Sequence, residues 1–296
     1  MINQITREKI EVLTKRYREL ALAQPQAVKE LWGAILPEMV YNSNAIENST
    51  LTLDDTEDIL MRDKIRTDHA VREIYEAKNL AKAMEYLDRV ATKKLSTKMI
   101  LDTHRILLTD IRDDIAGRWR SGKEWIRVGT HMGANPEFVA ELMQGLVDKY
   151  NADNGEILDK IAYFHAEFEN IHPFGDGNGR MGRLITNWQL AKVGLPPIIV
   201  ANKSKYDEYY PALEAYVRTD KCDELVELFA KLLIEALHRW IAMLTAKKII
   251  PLAEWARQND EDVQATTNKA ARGTIPGFRV RDHWMIDAGY KIDKSN

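Results

Sequence analysis

A chain of 296 residues with a formal charge of −3 is long enough to bury a substantial core, as one large domain or two modest ones, and gives no global electrostatic reason to bind nucleic acid. Its single cysteine, Cys222, excludes an internal disulfide and a cysteine-based zinc site. No apolar run reaches membrane-spanning length and the first residues carry no secretion-signal segment, so the expectation is an ordinary globular protein of the cytoplasm, with no membrane partner.

Helical periodicity predicts a helix over 6–23, with Ile10, Leu13, Tyr17 and Leu20 on one face. A second, short helix carries Val28, Leu31, Trp32 and Ile35 and ends before Pro37. A polar stretch follows over 39–49, then a loop over 50–53 in which Thr52 and Asp55 form a variant capping box for the next helix. Residues 71–87 and 97–109 are helical by the same periodicity. Over 117–132 the pattern breaks: Gly117, Gly122, Gly129 and Gly133 punctuate Trp119, Trp125, Ile126 and Val128, which predicts a short β-hairpin. Helix returns over 136–150, and Ile157, Ile161, Phe164 and Phe168 stripe the helix that leads into His172. Residues 207–217 and 223–245 are helical, the latter with an apolar arc wide enough to predict deep burial. Composition shifts near Lys247-Lys248. Beyond it, short helices over 251–257 and 263–271 precede a turn at Ile275-Pro276-Gly277 and an alternating Phe278, Val280, Trp284, Ile286 hairpin, together read as a small winged helix-turn-helix.

Residues 171–183 concentrate the chemistry. They read Ile-His-Pro-Phe-Gly-Asp-Gly-Asn-Gly-Arg-Met-Gly-Arg. Glycines interleaved with Asp176 and Asn178 allow a tight turn that points several N–H groups at one spot, an anion-binding nest. Met181, Leu184, Ile185 and Trp188 then mark the apolar face of a helix, so the nest lies at a helix N-terminus, where orphan N–H groups and the dipole favour a phosphate. Arg180 and Arg183 project from neighbouring points of its first turn. Asp176 is a hard oxygen ligand suited to the Mg²⁺ that accompanies a nucleotide, or a helix N-cap. His172 titrates near neutrality and can serve as a base.

This stretch resembles the signature of the Fic domain family, His-x-Phe-x-Asp/Glu-Gly-Asn-Gly-Arg-x-x-Arg, and meets it at His172, Phe174, Asp176, Gly177, Asn178, Gly179, Arg180 and Arg183. The resemblance implies a mainly α fold, a helical bundle with a short β-hairpin flap. It also implies transfer of AMP from ATP to a Ser, Thr or Tyr hydroxyl of a target protein, with ATP and Mg²⁺ required. His172 would take the hydroxyl proton. Asp176 would hold Mg²⁺. Asn178 and the N–H groups of Gly177 and Gly179 would stabilise charge on the α- and β-phosphates, Arg180 would pair with the outer phosphates, and Arg183 would reach the γ-phosphate. Phe174 anchors the loop. Tyr209 and Tyr210, with Tyr206, fall where members build part of the nucleotide pocket, and helix packing is the other reading of each. The hairpin residues Trp125, Ile126, Arg127 and Val128 would align the target by strand pairing, with His131 at its border. His104, His165 and His238 show no ligand spacing and read as packing residues.

Ser43, Glu47 and Asn48 match the family's inhibitory pattern Ser/Thr-x-x-x-Glu-Gly/Asn, which implies that a helix near 43–48 holds the enzyme off through Glu47. The tail resembles excisionase-like or MerR-like DNA-binding modules, with Arg272, Arg279 and Arg281 as phosphate contacts. The domains expected are an N-terminal helical region over 1–95, a catalytic core over 96–246 and a winged module over 247–296. Rival readings are removal of AMP, transfer of another phosphate-containing group at the same site, or a DNA-binding regulator whose core senses nucleotide. Beyond a target protein, the partners this allows are the chain itself as a substrate, a second copy in a homodimer, and DNA.

Overall fold

The computed structural model describes residues 2–65, 68–129 and 131–292, and these are mainly helical. In chain order the first elements are α1 (Gln4–Ala23), α2 (Pro25–Ile46), α3 (Leu53–Met61), α4 (Val71–Arg89) and α5 (Thr97–Leu108). The two-stranded hairpin β1 (Arg127–Val128) and β2 (His131–Met132) follows, then α6 (Val139–Ala152), α7 (Ile157–Ile171), α8 (Asn178–Lys192), α9 (Tyr210–Thr219) and α10 (Asp223–Thr245). The tail holds β3 (Ile249–Pro251), α11 (Leu252–Gln258), α12 (Val263–Ala271), β4 (Phe278–Val280) and β5 (His283–Asp287). No helix among the described residues is long and apolar enough to cross a membrane.

Several starts and stops have local causes. Thr52 caps α3 as the sequence predicts: its side chain accepts from the Asp55 N–H, and the Asp55 carboxylate accepts from the Thr52 N–H. Ser96 and Asp262 cap α5 and α12 without the reciprocal bond, their side chains accepting from the Met99 and Ala265 N–H groups. Pro37 breaks the expectation, because α2 runs through it to Ile46. Proline removes one helical hydrogen bond and crowds the carbonyl four residues back. Here that residue is Gly33, and Ile35, Met39, Val40 and Ile46 along the same helix are all buried. Burial on this scale outweighs a local propensity penalty of about 3 kcal/mol.

The chain forms two compact units. The first is drawn from 36–193 and 199–228. In it α4 packs on α5 and α3, and α7 lies between α6 and α8. Its apolar core joins Leu80, Ile100, Leu107, Val139, Phe164, Phe168, Phe174 and Trp188, which leaves both α7 and α8 buried where they meet.

The second unit is drawn from 2–35, 194–198 and 229 onward. Trp240 of α10 is almost fully buried and meets Tyr17 and Trp32 edge-on at 5.9 and 6.3 Å. In the tail the predicted hairpin is present, but it belongs to a three-stranded antiparallel sheet of order β3-β5-β4. The sequence reading missed β3 because three residues ending in proline are too short to show an alternating period. Ile250, Leu252, Trp255, Ala270, Ile275 and Ile286 form a local core there. Arg279 is engaged within the unit: its Nε and Nη2 donate to Glu235 at 2.8 and 2.7 Å, and its backbone N–H donates to the same carboxylate. Arg279→Met removes both guanidinium donors and leaves the mostly buried Glu235 carboxylate with the backbone N–H, so it is expected to cost about 1–3 kcal/mol of stability. An unchanged denaturation midpoint would mean that the pair contributes nothing.

Candidate active site

The site is built where α7 hands over to α8. His172 caps α7 in the left-handed region, at φ 53°, with its N–H donating to the Phe168 carbonyl at 2.9 Å. That conformation reverses the chain into the loop and turns the imidazole toward a cavity. Phe174 then plunges into the core and stacks on His104, with ring centroids 3.6 Å apart. Asn178 clasps the loop from its far end. Its Oδ1 accepts from the Phe174 N–H at 2.9 Å and its Nδ2 donates to the Phe174 carbonyl at 2.8 Å. Gly177, at φ 80°, makes the last turn before α8 and needs a residue that tolerates positive φ.

Two buried residues brace this loop. The Gly117 N–H donates to His104 Nδ1 at 3.0 Å, so the proton of His104 lies on Nε2, which donates to the Asp176 carbonyl at 3.0 Å. Burial pushes His104 down to about 4, which keeps it neutral in this structural role. Arg120, 1% exposed, went unread in the sequence. Its Nε donates to the His172 carbonyl at 2.6 Å, and its Nη2 to the carbonyls of Ile171, at 2.8 Å, and Ala134. It thus ties the backbone of the candidate base to the end of the hairpin segment. A guanidinium in a chain of loops has no periodic signal to betray it.

Asp176 and Arg180 sit in a four-member ionic cluster. Arg180 reaches Asp176 and Glu76, each at 3.1 Å, and Arg72 reaches Asp176 at 2.6 Å and Glu76 at 3.0 Å. Burial raises the Asp176 carboxyl, but Arg180 and Arg72 outweigh it and hold the group below the usual carboxylate range. Among the described residues no set of three metal-binding side chains gathers anywhere. An ionised carboxylate in the turn before α8 is nevertheless the chemistry that Mg²⁺ accompanying a nucleotide would take, and Asp176 is the residue that would hold it. Arg72, half exposed, is the partner that would yield to it.

Arg183 lies at the other side of the nest and is buried. Its Nη2 donates to Glu47 Oε1 at 2.7 Å and to the Ser43 carbonyl at 2.8 Å, and its Nε donates to the Ser43 hydroxyl at 3.0 Å. Burial opposes the charge on Arg183, and the Glu47 carboxylate more than offsets this. The Ser43 carbonyl is one of the four that α2 leaves without helical partners at its C-terminus. The others are also covered. The Asn44 carbonyl takes the Glu47 N–H at 3.0 Å. The Ala45 carbonyl takes the Asn48 N–H at 3.0 Å and Lys205 Nζ at 3.3 Å. The Ile46 carbonyl takes Lys205 Nζ at 3.1 Å and the Tyr210 hydroxyl at 3.2 Å. Cations at a helix C-terminus also suit its dipole. Asn48 is left-handed at φ 68°, a conformation asparagine tolerates where glycine is commoner. Glu47 therefore stands just past the helix end, its carboxylate over the first turn of α8. A Cβ added at Gly179 would collide with Glu47 Oε1.

Of these residues, Glu47, Glu169, His172, Gly179, Arg183 and Tyr210 line one cavity of about 310 Å³, whereas Asp176, Gly177, Asn178 and Arg180 are not among its lining residues. Tyr209 is buried beneath it: its ring lies 5.9 Å below the Arg183 guanidinium, and its hydroxyl meets His165 Nε2 at 2.7 Å. Tyr206 is largely exposed. The hairpin supplies another wall through Val128, Gly129 and His131. β1 pairs with β2 through Arg127↔Met132 and Val128↔His131, and no further strand joins this sheet among the described residues. An open strand edge of this kind accepts an extended peptide by backbone hydrogen bonds. Trp125 and Arg127 are exposed beside it, and Ile126 accepts the Gly133 N–H at 3.0 Å. Burial lowers His172 to about 4, with the Glu169 carbonyl opposing, so its ring is neutral and able to accept a proton.

Comparison with known proteins gives these residues a family setting. Residues 94–190 match the Fic/DOC family. A protein adenylyltransferase Fic of Nematostella vectensis is 29% identical over 220 residues, covering 70% of this chain and 50% of that protein. The protein adenylyltransferase fic-1 of Caenorhabditis elegans is 33% identical over 181 residues, covering 59% of this chain and 35% of that protein. The chain thus spans about half or less of the length of these relatives. A solved Fic domain containing signaling protein of Bacteroides thetaiotaomicron superposes with a TM-score of 0.72 at 25% identity, covering 80% of this chain and 97% of that one.

Proposed function

We propose, from the premise that residues 94–190 are a Fic domain, that this chain transfers AMP from ATP to a hydroxyl of a target protein and is held off by Glu47. The observation that carries the reading is the single cavity onto which His172, the N-terminus of α8 with Gly179, and Arg183 all open. His172 accepts the proton as the hydroxyl attacks the α-phosphorus, and diphosphate leaves. The N–H groups at the start of α8 and the dipole behind them stabilise the charge that develops on phosphate oxygens. Arg183 binds the γ-phosphate and so lines up the α-phosphorus with the attacking oxygen. Asp176 would hold Mg²⁺, which when bound neutralises phosphate charge. The target's modifiable segment pairs with the β1 edge, close to His172.

The test is incubation with ATP labelled on the α- or the γ-phosphate, followed by intact-mass analysis of the chain and of proteins in its lysate. Label from the α-phosphate alone, with one added AMP mass, supports the reading. Transfer of γ-label would point to another phosphate group, and loss of AMP from a premodified protein to the reverse reaction.

Lys205 offers a graded test of the restraint. Its ammonium caps the Ala45 and Ile46 carbonyls and the Asn48 side chain, all at the end of the segment that delivers Glu47. Lys205→Met frees those acceptors, and AMP incorporation is expected to rise severalfold while Glu47 remains. The rise stays below that of Glu47→Gly. Unchanged incorporation by a folded variant would show that the cap does not hold the segment.

A further inference from the structure

One buried carboxyl at the cavity bonds to neither the nest nor the inhibitory segment. Glu169 lies three residues before His172 on α7, is 7% exposed, and lines the same cavity. Its Oε1 is buried with no hydrogen-bond partner, and its Oε2 lies 3.8 Å from His172 Nδ1. Room for it exists only because residue 182 is glycine: a Cβ there would collide with Glu169 Oε1. A buried carboxyl with one oxygen unpartnered costs stability, and the sequence clears a space for it.

We infer that Glu169 is a positioning residue for His172, whose carboxylate stabilises the imidazolium formed when His172 takes the target's proton; this rests on the AMP-transfer reading. His172 Nδ1 also lies 3.3 Å from the Glu169 backbone carbonyl. Donation of the Nδ1 proton to that carbonyl leaves Nε2 as the lone pair for the hydroxyl. The proton moves from the hydroxyl to Nε2, Nδ1 keeps its own, and the positive charge on the ring is then faced by the Glu169 carboxylate. His172 is also faced by Arg120 and His131, which disfavour its charge, and by Glu47, which favours it. Around Glu169 stand Arg183 of α8, Glu47, His165 one turn earlier on α7, and Tyr209. Burial raises Glu169 to about 8; Arg183 opposes this and Glu47 adds to it. Departure of Glu47 thus favours ionisation of Glu169, so the inhibitory glutamate acts on the base as well as on Arg183.

The experiment uses the full chain carrying Glu47→Gly, with Glu169 intact or replaced in Glu169→Gln and Glu169→Asp. AMP incorporation by the parent is expected to climb with pH through the neutral and alkaline range as Glu169 ionises. Glu169→Gln, of the same shape, is expected to fall at least about tenfold and to lose that climb, with partial recovery in Glu169→Asp. A Glu169→Gln rate and pH profile matching the parent would overturn the assignment. The His172 ring resonances, followed by NMR without ATP, supply a readout that needs no activity. An alkaline inflection present in the parent and absent in Glu169→Gln supports the coupling, and identical titrations refute it. If no variant incorporates AMP, the transfer reading fails, and the NMR titration alone then decides whether Glu169 governs His172.

Discussion

His172→Ala, made in the Glu47→Gly chain so that activity is high enough to measure, is expected to lower AMP incorporation about 10²–10⁴-fold. The ring is neutral, lines the cavity, and has the Glu169 carbonyl beside its Nδ1 to leave Nε2 for the incoming hydroxyl. His165 cannot take its place, being spent between Thr186 and Tyr209 at 2.9 and 2.7 Å. The loop itself survives the change. Its braces run through the Asn178 side chain and through Arg120, which bonds the backbone carbonyl of residue 172 and not its ring. ATP affinity is therefore expected to stay within a few-fold, and circular dichroism to be unaltered. Incorporation within a few-fold of the parent, in a folded protein, would remove His172 from the mechanism.

Glu47→Gly is expected to raise AMP incorporation tenfold or more at matched ATP and Mg²⁺. Two observations combine. Arg183 can serve one bidentate acceptor at a time, and Glu47 Oε1 already holds its Nη2 at 2.7 Å. The carboxylate also occupies the space directly over Gly179, where a phosphate would approach the first turn of α8. The Glu47 side chain is over a third exposed, so solvent screens the pair and its Coulomb energy is to be discounted. The demand is small all the same: a state ~99% off requires only about 2.7 kcal/mol. Steric occupation of the nest supplies part of that, and a γ-phosphate pushed aside misaligns the α-phosphorus, which alone costs much of the rate. Glycine at this position leaves the cap of α2 in place, because Arg183 still meets the Ser43 carbonyl and Lys205 the Ile46 carbonyl. Equal incorporation by wild type and variant would mean that the contact is present but does not restrain the reaction.

The amino-acid sequence by itself determined what nearest neighbours along the chain determine. The helical periods, the Thr52–Asp55 capping box and the run from His172 to Arg183 are local patterns, and so is the glycine-punctuated hairpin, which is expected over 117–132 but forms strands only at 127–128 and 131–132, leaving Trp119, Trp125 and Ile126 outside them. The tertiary structure decided the rest. Pro37 reads as a helix end, yet α2 continues through it because burial along the helix outweighs a local penalty. Arg120, Arg72 and Lys205 carry no period or motif, and each acquires its role from acceptors 14 to 160 residues away in the chain. Glu169 is indistinguishable in sequence from any helix-surface carboxylate. Only the packing of α7 against α8, over a glycine, shows that it is buried beside His172 with its Oε1 unpartnered. The meeting of Glu47 with Arg183, 136 residues on, belongs to both levels. The residue types can be read in the chain, but the contact depends on Arg183, Lys205 and Tyr210 converging on the unpaired carbonyls at the end of α2, which no local pattern encodes.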